Sequence, residues 1–179
     1  MFYWGIMDMK KYLAGISLIA SLFTTPLFAE VMDVEKYKMI ATEVIRESMK
    51  GASANTEKMI SQNEQLIEMG IAGSRTFAAS NAKHSKLLTL TADNAAAMKA
   101  MSLDEIEEQW HEFGYLAKHG IDAESIEHFG PAISLMDTIV HPATAIIAIH
   151  SYQKESDSEY LDQVKAELSE VLEHIKHIQ

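Results

Sequence analysis

Leu161-Asp162-Gln163-Val164-Lys165-Ala166-Glu167-Leu168-Ser169-Glu170-Val171-Leu172-Glu173-His174-Ile175-Lys176-His177-Ile178 is the stretch from which the fold class is read. Leu161, Val164, Leu168, Val171, Ile175 and Ile178 step by 3, 4, 3, 4 and 3. A helical turn gathers positions so spaced onto one stripe, whereas a half-buried strand would alternate every second residue. The segment therefore predicts an amphipathic helix, and Ser156-Asp157-Ser158-Glu159 before it has the S-x-x-E spacing of a helix start. The stripe serves either as a packed seam within the chain or as the contact of a dimer through the C-terminal helix.

Working toward the N-terminus, Ser102-Leu103-Asp104-Glu105 is a capping box whose helix should run to about His119 and stop at Gly120. Leu103, Ile106, Trp110, Phe113 and Ala117 would share its apolar face. Asp33 caps a helix from Val34 to about Lys50 with Val34, Tyr37, Ala41, Val44, Ile45 and Ser48 on one side. Between these, a helix is expected around Thr56 to Glu68, a break near Gly70 to Gly73, and a long helix from about Arg75 to Met101. Asp122 begins a short helix to His128, Gly130-Pro131 punctuates, and an apolar stretch from Ala132 to Gln153 follows. Pro142 removes one backbone donor from that stretch, which predicts a kink or break there. With only three prolines and eight glycines in the chain and no alternating Val/Ile/Thr run, the prediction is all-α. The architecture expected is an up-and-down helical bundle of four to five helices.

Met9-Lys10-Lys11, the apolar run Tyr12 to Phe23, Thr24-Thr25-Pro26 and Leu27-Phe28-Ala29 follow the order of a cleavable signal peptide. Residues 1–29 are read as that signal, with residues 1–8 as a start-site artefact ahead of Met9, and residues 30–179 as a single helical-bundle domain. The apolar run is shorter than a spanning helix requires, and no later segment is expected to span a bilayer, so no stable membrane insertion follows cleavage. The location expected is periplasmic or secreted.

From Glu30 onward the chain keeps 13 basic and 25 acidic residues, a formal charge of −12 with His neutral. Such a surface lacks the basic patch that neutralises phosphates, so nucleic acid is excluded as a partner. There is no Cys, which removes disulfides, thiolate metal sites, iron–sulfur clusters and covalent haem attachment.

Chemistry must then come from His and carboxylates. Glu108-Gln109-Trp110-His111 matches the E-x-x-H unit of di-iron bundles, but it occurs once, and α-helical phase set by Ile106, Trp110 and Phe113 turns Glu108 and His111 to the polar side. Met98 and Met101 read as core fillers, and His174 and His177 as surface groups that complement the last helical turn. His84 and His150 fall instead on apolar faces of separate long helices: His84 with Phe77, Leu87, Leu88, Ala95 and Met98, His150 with Leu135, Ile139, Ile146 and Ile147. They are the candidate cofactor-binding residues, able to ligate haem b or a metal ion if they face each other, and ordinary core histidines if they do not.

No G-x-S-x-G, S-x-x-K, H-E-x-x-H or phosphate-cradling glycine loop occurs, so nothing points to an enzyme. The first expectation is a soluble extracytoplasmic bundle acting by binding or protein interaction, requiring no cofactor, with a protein or small ligand as partner. The second, of another class, is a carrier holding non-covalent haem or a metal on facing helices.

Overall fold

The computed structural model describes residues 31–178; the predicted signal peptide and its cleavage site lie outside them. The described residues are all-helical, with no strand among them. The helices are α1 (Val34–Ser48), α2 (Thr56–Ser80), α3 (Ser85–Met98), α4 (Leu103–Ile106), α5 (Gly114–Lys118), α6 (Pro131–Glu155) and α7 (Glu159–His174). Asp33 caps α1 by accepting from the Lys36 N–H, and Asn55 caps α2 by accepting from the Lys58 N–H. Ser102 and Glu105 close the capping box at α4.

Side-chain pairs fix the direction of each helix. Lys58 reaches Glu43, Lys99 reaches Glu64 and Arg75 reaches Asp93, so α2 runs antiparallel to both α1 and α3. Tyr115 donates to Asn94 and Lys86 to the His119 carbonyl, which lays the α4–α5 segment antiparallel to α3. Gln153 meets Thr56 and Glu57 while Gly70 faces Thr138, placing α6 antiparallel to α2. His141 meets Glu167 and Asp137 meets His174, which does the same for α7 against α6.

The sixth helix is the axis of this arrangement: every residue from Ala132 to Ile149 is buried. By length and mean hydropathy it could cross a membrane, contrary to the sequence expectation, but here its apolar window is wholly buried by the surrounding protein. Leu161, Val164, Leu168, Val171, Ile175 and Ile178 are all buried within the chain. The C-terminal stripe is thus a seam against α1 and α6, and a dimer formed through it would have to displace them.

The seven helices among the described residues exceed the four to five expected, because the segment after α3 is divided into the short α4 and α5, and three predicted boundaries are corrected as well. No break occurs at Gly70 to Gly73; α2 continues through both and the chain turns only between α2 and α3. The glycines are sites of close approach: a Cβ on Gly70 would lie 2.6 Å from Thr138 Oγ1 and 2.8 Å from the Thr138 carbonyl oxygen. Nor does Pro142 end its helix, for α6 passes through it. Finally, the helix expected to reach His119 is interrupted. After α4 the backbone makes one π-helical turn over Glu107–His111, with the Glu112 N–H donating to the Glu107 carbonyl at 2.9 Å. Phe113 then takes a left-handed conformation (φ 60°) before α5 begins.

Candidate metal centre

A π turn places residues five apart above one another, where an α turn would stagger them. His111 therefore comes to the side of the buried Ile106, five positions before it, instead of to the polar side that uninterrupted α phase predicts. Gly114 permits this path, because a Cβ there would meet the Glu108 carbonyl oxygen at 2.6 Å. Glu108 itself stays exposed, so the E-x-x-H unit delivers one group inward and not two.

What His111 meets are groups from the two helices opposite. His141 of α6 and Glu167 of α7 each offer a ligand atom, and the three ligand atoms lie within 4.8 Å of one another. His141 Nδ1 is 2.8 Å from Glu167 Oε2, and His111 Nε2 is 3.8 Å from the same oxygen. The Thr144 hydroxyl, which donates to the Val140 carbonyl, stands 3.0 Å from His111 Nε2. The His111 and His141 rings are 5.0 Å apart between centroids and inclined at 65°. Two imidazoles sharing one tetrahedral ion, with metal–nitrogen bonds of about 2.0–2.1 Å, have centroids separated by roughly 5 Å. Ring spacing and the single oxygen approached by both histidines are compatible with a three-ligand site.

Electrostatics sharpen the picture. Burial pulls the His141 pKa down, but the hydrogen bond to Glu167 and the charges of Asp137, Glu167 and Glu170 outweigh it and leave the value raised. The neighbourhood is thus one that attracts positive charge. One helical turn back along α6, Asp137 faces His174 of α7, both buried, and the His174 ring lies 6.2 Å from that of His141. A polar stripe of Thr144, His141 and Asp137 on α6, met by Glu167 and His174 on α7, runs through an otherwise apolar interface.

The residues singled out from sequence are not brought together. His84 stands half-buried just before α3, its pKa lowered by burial and by Lys83. His150 is exposed where α6 leaves the core, its Nδ1 3.2 Å from Gln153 Oε1. It lines a cavity of about 600 Å³ with Lys99, which follows the other end of α3 from His84. At 1.5 Å per residue α3 alone separates those ends by roughly 20 Å. The structure therefore places His84 and His150 at separate ends of α3; apolar neighbours gave no phase on a helix buried all round, and His150 lies just past the last buried turn of α6.

His111 and His174 were read as surface groups, and the structure turns both inward. His177 is exposed, and Met98 and Met101 pack with the core. For His174 a signal was available, since it falls on the stripe side next to Val171 and Ile175. For His111 none was, because the α-helical period gives no sign of the π turn that reverses its phase. No family model matches the chain, and neither does any curated protein or solved structure.

Proposed function

We propose that this protein is an exported, extracytoplasmic bundle of the up-and-down type that acts by binding, and that what it binds is a divalent first-row transition metal ion held by His111, His141 and Glu167. The observation that carries the reading is the convergence of these three ligand atoms within 4.8 Å from three separate segments. Two imidazoles and a carboxylate suit Zn²⁺ and the neighbouring divalent metals, and a fourth position is left for water or a second ligand. His141 contributes once its shared proton is displaced, so uptake is coupled to proton release. Thr144 beside His111 and Asp137 beside the stripe are the outer groups that would hold the ligands in orientation. Capture of an ion, and not turnover of a substrate, is the role proposed, since no nucleophile motif accompanies the site. Residues 1–29 direct export in this reading, and a mature chain of charge −12 attracts cations and repels nucleic acid.

The test is calorimetric titration with Zn²⁺ of the wild-type protein and of the His111→Ala and Glu167→Gln variants. Saturable binding lost in both variants supports the site. Equal binding by all three, or none by the wild type, overturns it. N-terminal sequencing of protein recovered outside the cytoplasm addresses export, with a start near Glu30 expected.

A further inference from the structure

Residues 103–118 carry two alternative apolar faces. An unbroken α pitch aligns Leu103, Ile106, Trp110, Phe113 and Ala117 and sends His111 to the polar side. The structure instead buries Ile106, Trp110 and Leu116, leaves Phe113 half-buried and Ala117 exposed, and brings His111 inward. Two features burden this second arrangement. Phe113, a bulky residue, is held in the left-handed region at φ 60°. The Trp110 indole Nε1, in the π turn itself, is buried without a hydrogen-bond partner. The apolar core does not require either, since α pitch exchanges Leu116 for Phe113 and keeps Ile106 and Trp110. What the π turn adds is His111 beside His141 and Glu167. The segment also has room to change: α4 and α5 are only four and five residues long, and a cavity of about 540 Å³ opens beside Phe113, Ala117 and Ile121. His141 and Glu167, by contrast, stand on packed helices of 25 and 16 residues.

We infer that residues 107–113 are a pitch switch driven by the ion: a divalent metal at His111, His141 and Glu167 draws the segment from α pitch, in which His111 faces away, into the π turn. This rests on the metal-binding reading of that site and adds its regulation. His141 and Glu167 are the fixed half of the site, and His111 is the half that arrives. Bonds to the ion offset the left-handed Phe113, so the observed affinity is the intrinsic one reduced by the fraction of metal-free chain already in the π turn.

Phe113→Gly and Phe113→Ala both remove the ring, but only Gly takes the left-handed conformation without steric cost. In calorimetric titration of the full-length chains, Phe113→Gly should bind Zn²⁺ roughly 5–30-fold more tightly than Phe113→Ala, the left-handed penalty expressed as affinity. If the π turn is formed before the ion arrives, that penalty is present in both states and cancels. Equal dissociation constants, or weaker binding by Phe113→Gly, therefore overturn the switch and leave the site, whatever the difference in melting midpoint. No Zn²⁺ binding by the wild type overturns site and switch together. Should either variant fail to fold, the backbone chemical shifts of wild-type Phe113 decide, because right- and left-handed conformations differ in them. Right-handed values without Zn²⁺ that become left-handed with it support the switch, and values that Zn²⁺ leaves unchanged overturn it.

Discussion

The Tyr37 hydroxyl donates to the Thr138 carbonyl at 2.9 Å, and Thr138 is the residue whose carbonyl Pro142, four positions later, cannot reach with a backbone N–H. A side chain of α1 thus fills the hydrogen bond that proline deletes from α6. This explains why the central helix passes through Pro142: the carbonyl is buried and would otherwise be orphaned. Tyr37→Phe should destabilise the fold by about 1–3 kcal/mol, the cost of leaving that acceptor unsatisfied. In a Pro142→Ala background the backbone supplies the donor, and the same change should cost much less. Equal costs in the two backgrounds, measured by chemical unfolding, would show that the hydroxyl and the proline are not coupled.

Glu47 ties the end of α1 to the start of α2, accepting from the Asn55 N–H at 2.9 Å and from Lys50 Nζ at 2.7 Å. The Lys50 bond, followed by that from Asn55, lowers its pKa against the opposing effect of burial. A carboxylate with a depressed folded pKa adds stability that is present above its unfolded value and is lost as pH falls through the folded one. Glu47→Gln should therefore lower the melting midpoint at pH 7, and the gap to wild type should close as the solution is taken below about pH 4, the ordinary carboxylate range. A gap that persists unchanged at pH 3 would locate the effect in packing instead of charge.

Gly114 is bound to the π turn by its lack of a side chain, since a Cβ would come 2.6 Å from the Glu108 carbonyl oxygen. Gly114→Ala must displace that backbone, at a cost of about 1–3 kcal/mol for a forced overlap. Because the π turn also aims His111, Zn²⁺ affinity should fall with it, by roughly 10–100-fold, as when a group orienting a ligand is lost. Unaltered Zn²⁺ binding in a destabilised variant would mean that His111 is positioned by Thr144 alone.

How far the sequence led can be followed through the same residues. The stripe from Leu161 to Ile178, the capping box at Ser102 and the start at Pro131 were legible because each depends on neighbours within a turn or two. The continuity of α2 and α6 was not. Gly70 is a glycine because of Thr138, and Pro142 is tolerated because of Tyr37; both causes lie on other helices. His111 and His141 escaped notice for related reasons. His141 adjoins Pro142, where a kink or break was expected, and was not singled out, while His111 was given a phase that the π turn shifts. A periodicity argument presumes one helical pitch, so it is blind where the pitch changes. It also loses all directional content on α6, where every residue from Ala132 to Ile149 is buried and no face is left to solvent.

His141 and Glu167 present a last, opposed pair of expectations. As a purely structural pair they are poorly justified, because replacing a buried ion pair by apolar residues of similar volume is commonly neutral or stabilising by about 1–4 kcal/mol, whereas removing one partner costs about 3–5 kcal/mol. Glu167→Leu alone should thus weaken the metal-free protein, and Glu167→Leu with His141→Leu should restore or exceed wild-type stability. Zn²⁺ reverses the order. At a free concentration of a hundred times its dissociation constant, a bound ion stabilises the folded wild type by about 2.7 kcal/mol and the double variant not at all. Unfolding curves with and without Zn²⁺ read both effects together. A double variant that is less stable than Glu167→Leu, or that gains as much from Zn²⁺ as the wild type, would remove the reason for calling this pair a metal site. The pattern expected, a largely buried polar pair that weakens the empty fold and strengthens the loaded one, is what distinguishes ligands from packing.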